Sequence, residues 1–114
     1  MLNRPQRIRL ESDYKKILAR GHRVYSQFFT LFINQQTDPT LQKSRFGFIA
    51  SKKVGNAVTR NRTKRVIREI VRLKLAEIKP GFDVVLIISP KAVGQQYSVL
   101  ETEVITSLKR GNLL

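Results

Sequence analysis

Residues 45–89 read RFGFIASKKVGNAVTRNRTKRVIREIVRLKLAEIKPGFDVVLIIS, and the fold follows from the changes of rhythm within them. Arg45 to Ser51 alternates, with Phe46, Phe48 and Ala50 set against Gly47, Ile49 and Ser51. A period of two is that of a strand. Lys52 to Thr59 is a connecting loop containing Gly55-Asn56, and either Asn56 or Thr59 suits the cap of the next helix. That helix runs to about Ile78 and is stopped by Pro80-Gly81. Phe82 to Ser89 is almost unbroken apolar, as in a strand buried on both faces and central in its sheet. The segment is a βαβ crossover.

Working outward, Arg4 to Leu10 is basic, contains Pro5 and reads as irregular and extended. Ser12 suits the N-cap of a short helix in which Tyr14, Ile17 and Leu18 fall at i, i+3 and i+4, and Gly21 supplies its stop. Residues 24–33, with Phe28, Phe29, Leu31, Phe32 and Ile33, favour a strand. Asn34 to Lys43 contains Asp38-Pro39 and reads as a polar turn, so the strands on either side are expected to form an antiparallel hairpin. Beyond the crossover, Ser98-Val99-Leu100-Glu101 has the capping-box pattern. The helix it opens carries Leu100, Val104 and Leu108 in steps of four. Helix, strands, helix, strand, helix is the order of an α+β layer sandwich. One domain over residues 1–114 fits the length.

Twenty-two Lys and Arg face eight Asp and Glu, a net charge of +14. Such an excess repels itself in a compact fold, and a polyanion relieves the repulsion, nucleic acid before an anionic membrane. The chain has no Cys, which excludes disulfides and thiolate metal sites and is compatible with a reducing compartment. No apolar run approaches the roughly 18 residues of a membrane span, and the first residues lack the apolar core of a signal peptide. A cytoplasmic location is expected.

The positive charge is concentrated. Between Lys52 and Lys74 stand Lys52, Lys53, Arg60, Arg62, Lys64, Arg65, Arg68, Arg72 and Lys74, with Glu69 as the one acid. At about 100° per residue, Arg60, Lys64, Arg68 and Arg72 form a row, with Asn61 and Arg65 on the same side. Val66, Ile67 and Ile70 lie opposite and are expected to face the sheet, while Arg62 falls off the row near Glu69. A row of four cations with no compensating acid at i+3 or i+4 weakens an isolated helix by a few tenths of a kcal/mol per pair, and bridging phosphates would reverse that sign. Tyr14, Phe28, Phe29 and Phe32 are candidates for a stacking platform beside this ridge, although most of the six Phe are needed for the core.

No catalytic constellation accompanies the ridge. His22 is the single His and reads as a surface residue, and Asp13, Asp83, Glu101 and Glu103 suit helix starts and strand edges better than metal ligation. We therefore assign no catalytic and no metal-binding residue to the protein itself.

The run Ser51-Lys52-Lys53-Val54-Gly55-Asn56-Ala57-Val58-Thr59-Arg60-Asn61-Arg62-Thr63-Lys64-Arg65-Val66-Ile67-Arg68-Glu69 closely resembles the signature of the bacterial ribonuclease P protein family, with Arg60-Asn61-Arg62 at its centre. The resemblance implies a mixed sheet of about four strands with three helices and a left-handed βαβ crossover, shared with a ribosomal small-subunit protein and a domain of elongation factor G. Pattern alone gives no such handedness, since right-handed crossovers are the rule. It also implies a catalytic RNA as partner, which cleaves precursor tRNA with Mg²⁺ as cofactor, the protein assisting. Lys52, Lys53, Arg60, Asn61, Arg62, Lys64, Arg65 and Arg68 would face RNA, joined by Arg72 from the helical row. Tyr14, Leu18 and Phe32 match positions lining a cleft for the single-stranded 5′ leader, although Leu18 stands where the family often has an aromatic. The alternative is a ribosome-associated or other structural RNA-binding module, which needs no leader cleft. A DNA-binding protein would want a helix-turn-helix pair, and none is present.

Overall fold

The computed structural model describes residues 7–8, 11–37 and 43–114. The Asp38-Pro39 turn, and all of Arg4 to Leu10 except Arg7 and Ile8, lie outside them. The elements run α1 (Glu11–Arg20), β1 (His22–Tyr25), β2 (Phe29–Gln35), β3 (Arg45–Ala50), α2 (Ala57–Lys74), β4 (Phe82–Ile88) and α3 (Tyr97–Arg110). A 3-10 turn at Leu75–Glu77 completes the end of the long helix.

The four strands form one mixed sheet in the order β1-β2-β4-β3. β4 pairs antiparallel with β2, from Phe29↔Ile88 to Gln35↔Phe82, and parallel with β3, from Arg45↔Asp83 to Ala50↔Ile88. The apolar run at 82–89 is therefore central, and β3–α2–β4 is the βαβ unit. Two expectations give way. The strands at 24–33 and 45–51 are not a hairpin, because β4 lies between them. β4 has Val84, Val85, Leu86 and Ile88 all buried, because the middle of the sheet is where helices cover both of its faces.

Nor is 24–33 one strand. The chain turns at Ser26, whose N–H donates to the Phe29 carbonyl at 2.9 Å, and β1 pairs with β2 as the actual hairpin. The Ser26 hydroxyl accepts from the Phe28 N–H at 3.3 Å and donates to Glu103 Oε2 at 2.8 Å, tying this turn to α3.

Helix starts also shift. Asn56 is the cap of α2, its side chain accepting from the Thr59 N–H at 2.9 Å. Ser12 lies inside α1, which begins at Glu11, and Ser98 lies inside α3, where Gln96 is the cap and offers no side-chain bond. The capping-box pattern there is not used.

The helices pack on two faces. α2 and α3 cover one, where Phe29, Leu31, Ile33, Phe46, Val84, Leu86 and Ile88 meet Ile67, Ile70, Val71, Leu100, Val104 and Leu108. This sheet and its pair of helices are the two layers. α1 lies on the other face, where Ile17 packs with Ile8, Phe32 and Val85. Gly21 ends α1 where a Cβ would press on the Ile17 carbonyl at 2.5 Å and on Phe32 at 3.2 Å. Among the described residues no helix is long and apolar enough to cross a membrane.

Candidate nucleic-acid interface

α2 is fixed by its apolar side. Thr63, Ile67, Ile70 and Val71 are buried, and the Thr63 hydroxyl returns to the Thr59 carbonyl at 2.9 Å rather than seeking solvent. The cations divide into two strips. Arg62 and Arg65 are exposed beside Asn61, and Arg62 stands off the row as its helical position requires. Arg60, Lys64 and Arg68 are partly buried. Among the described residues no carboxylate stands within 4.0 Å of any of these five cations. Lys52 and Lys53 are exposed on the turn leaving β3, close to the helix start.

Arg72 departs from the row. Its Nε donates to Glu69 Oε2 at 2.9 Å and its other nitrogen to Oε1, a forked pair at i, i+3. The expectation of four uncompensated cations is corrected to three, because Glu69 is the compensating acid. Hydrogen bonding to Arg72 holds the Glu69 carboxyl below its ordinary pKa, and the same bond raises that of the Arg72 guanidinium.

A cleft of about 370 Å³ opens between α1, the edge of β3 and α2, lined by Arg7, Ile8, Tyr14, Phe46, Gly47, Phe48, Lys64 and Arg68. Tyr14 lies directly on Gly47, where a Cβ would come within 2.5 Å of its ring and hydroxyl. The Tyr14 hydroxyl donates to the Ile8 carbonyl at 3.1 Å, and the Ile8 N–H donates to the Phe46 carbonyl at 2.9 Å. Residues 7–8 thus lie along β3 and brace the tyrosine. Opposite, the Arg68 guanidinium sits 5.7 Å from the Phe48 ring centre. Burial pushes the Tyr14 phenol above its ordinary pKa, and the nearby Arg68 charge offsets part of the rise.

α1 is also held by a polar tie. Arg45 donates to Asp83 through Nε at 2.9 Å and a terminal nitrogen at 2.7 Å, and reaches Asp13 of α1 at 3.5 Å. Gln36 Nε2 donates to the same Asp83 at 3.0 Å. Hydrogen bonding to Asp83 raises the Arg45 guanidinium pKa against the opposing effect of burial. Asp13 and Asp83 are structural partners.

The three residues matched to a leader cleft separate. Tyr14 lines the cleft between α1, β3 and α2, whereas Leu18 and Phe32 belong to the apolar cluster under α1. Phe32 is covered by the Arg23 guanidinium, 5.2 Å from its ring centre. Phe28 and Phe29 are turned into the main core, so the expected platform does not form from them. Sequence reasoning missed Arg7, Phe46, Gly47 and Phe48. A glycine between two phenylalanines in a strand was the available signal, since such a glycine marks a close approach. His22 is exposed on β1.

A cation-lined cleft with aromatic side chains in its walls, beside an open basic helix face, is suited to holding a phosphate chain. The comparisons with known proteins agree. The ribonuclease P family model matches residues 2–112. A ribonuclease P protein component from Syntrophomonas wolfei is 33% identical, the match covering 99% of this chain and 92% of that one. The solved ribonuclease P protein of Staphylococcus aureus superposes with a TM-score of 0.85 at 28% identity, covering 95% of this chain and 96% of its own. That of Thermotoga maritima gives 0.81 at 29%, covering 91% and 96%. With the signature on the exposed side of α2 and the whole fold shared, this chain belongs to the ribonuclease P protein family, a component of the endoribonuclease of tRNA 5′ maturation.

Proposed function

We propose that the protein divides its RNA contacts between two surfaces joined by α2. The outer surface, Arg60, Asn61, Arg62 and Arg65 with Lys52 and Lys53, holds phosphates of the catalytic RNA. The cleft takes the single-stranded 5′ leader of precursor tRNA, Lys64 and Arg68 tracking its backbone while the Tyr14 ring offers a base a stacking face. Leu18 and Phe32 serve beneath, as the packing that seats α1 and hence Tyr14. Arg72, already paired with Glu69, adds only to the long-range field.

The observation that carries this reading is the facing of Tyr14 by Lys64 and Arg68 across an open cleft, with no carboxylate within 4.0 Å of either cation. Strand cleavage belongs to the RNA, with Mg²⁺ activating water. The protein supplies affinity for the leader and screens phosphate repulsion, which lowers the Mg²⁺ needed. Mature tRNA lacks the leader and departs. The absence of cysteine and the RNA partner suit work in the cytoplasm.

Reconstitution with ribonuclease P RNA at low Mg²⁺ tests this, with the precursor's leader shortened stepwise. Added protein should tighten binding of the long-leader precursor and leave the leaderless one unchanged. An Arg65→Ala, Arg68→Ala double variant should lose most of the stimulation, and Arg72→Ala should lose less than Arg65→Ala. Equal affinity for long and short leaders in the presence of protein would remove the cleft from the account.

A further inference from the structure

The opposite edge of the sheet carries a second set of cations that the reading above does not use. β1 is the edge strand farthest from β3. Around it Arg20, at the end of α1, Arg23 on β1, and Lys109 and Arg110, at the end of α3, are all exposed. α3 is held against this hairpin closely enough that Gly111 leaves no room for a Cβ beside Ile33. Tyr25 is 59% exposed in their midst, one of the most exposed large apolar side chains among the described residues. Arg23 donates to its hydroxyl at 3.4 Å, and Arg110 donates to its backbone carbonyl at 3.0 Å. Two guanidinium groups therefore meet at one exposed residue, Arg23 at the phenol oxygen and Arg110 at the backbone carbonyl. Among the described residues no carboxylate is within 4.0 Å of Arg20, Arg23, Lys109 or Arg110.

We infer that this edge is a second RNA-docking surface, which clamps a backbone segment of the catalytic RNA between Arg23 and Arg110 and stacks one base or sugar on Tyr25. Arginine forks bind phosphate in two-point fashion, and an exposed aromatic beside them suits a nucleotide at a loop or helix end. The RNA subunit rather than the leader is the occupant, for a geometric reason. Three strand spacings, about 14 Å, separate β1 from β3, and α1 lies over β2 and β4 between them. To run from the cleft beside β3 to Tyr25, a strand would have to pass over α1. With a basic surface on each edge of the sheet, the protein would be gripped by the RNA from two sides, fixing the cleft's direction as well as its position. The inference rests on the chain's partnership with that RNA but not on the leader assignment.

Binding of ribonuclease P RNA alone to the full-length protein is the direct measurement, comparing the parent with Arg23→Ala/Arg110→Ala, with Tyr25→Ala, and with Lys91→Ala as an exposed cation that belongs to neither set. The double variant should bind about tenfold more weakly, with a salt dependence shallower by about one per arginine removed. Lys91→Ala should bind nearly as the parent does. An Arg23→Lys/Arg110→Lys variant, which keeps the charge and loses the fork, should fall between, so a folding defect in the alanine variant does not decide the matter. Equal affinity of parent and both double variants overturns the inference. So does a loss confined to long-leader precursor in the assembled enzyme with RNA-subunit affinity unchanged, since that would make the edge a substrate surface. Loss of leader dependence in cleft variants, or its absence, is read separately and leaves this result standing.

Discussion

Among the described residues, nineteen buried apolar side chains lie between the sheet and the α2–α3 layer, against four between the sheet and α1. The first face is a continuous core in which alternate residues of β2, β4 and β3 meet two helices. The second is a thin cluster supplemented by polar ties, Arg45 to Asp83 and Asp13 and Tyr14 to Ile8. The difference separates tasks. Stability is concentrated where α2 is anchored, so its opposite side can carry unpaired cations at little risk to the fold. The α1 face spends less on packing and leaves a cleft.

The comparison can be broken most decisively in the main core. Phe29→Ala should cost about 3–5 kcal/mol in denaturant unfolding, as a fully buried aromatic on the thick face. A loss below about 1 kcal/mol would mean that this face is not where stability resides. On the α1 face, Asp83→Asn should cost about 3 kcal/mol, because it leaves the mostly buried Arg45 guanidinium without its principal counter-charge and one of its two acceptors. Little change there would show the polar tie to be dispensable.

Gly47→Ala should cost about 1–3 kcal/mol, since the new methyl collides with the Tyr14 ring. Its effect on leader affinity should exceed its effect on binding of the RNA subunit, and an equal effect on both would argue against separate surfaces. The smallest effect is a titration. The Tyr14 phenol should ionise above the ordinary tyrosine value of about 10, visible as the absorbance difference between the parent and Tyr14→Phe. With the folded value raised above the unfolded one, the associated stability is fully present below pH ~10. It is lost as pH rises through the folded value. Arg68→Ala should move that ionisation higher still, because the Arg68 charge opposes the shift. A downward move would place Arg68 elsewhere.

α2 was legible from sequence because its signal is local. Helical spacing separates buried Ile67 and Ile70 from exposed Asn61 and Arg65, while the expected row at 60, 64 and 68 lies on the flank between them, partly buried like Val66. Glu69 was in view as well, and its spacing of three from Arg72 was enough to remove one cation from the row. The break at Ser26 was hidden, since Tyr25-Ser26-Gln27-Phe28 has none of the usual Gly, Pro or Asn of a tight turn. Its geometry is held by Glu103, seventy-seven residues away. The pairing of β3 was misjudged because sequence neighbours are the natural hairpin partners, and the need to bury both faces of β4 overrode that proximity. Likewise Tyr14 on Gly47 joins residues from distant elements, and no local period announces it.

β4 bonds to β2 on one side and β3 on the other, yet it is the last of the four strands along the chain. During synthesis, which proceeds from the N-terminus, the two earlier parts of the sheet emerge with no ladder between them. Until residues 82–88 leave the ribosome, β2 and β3 each expose an edge able to pair with a foreign chain. Arrival of one short segment then joins both, and α3, which follows it, closes the main core, so the nascent protein passes from two exposed fragments to one folded unit in a late step.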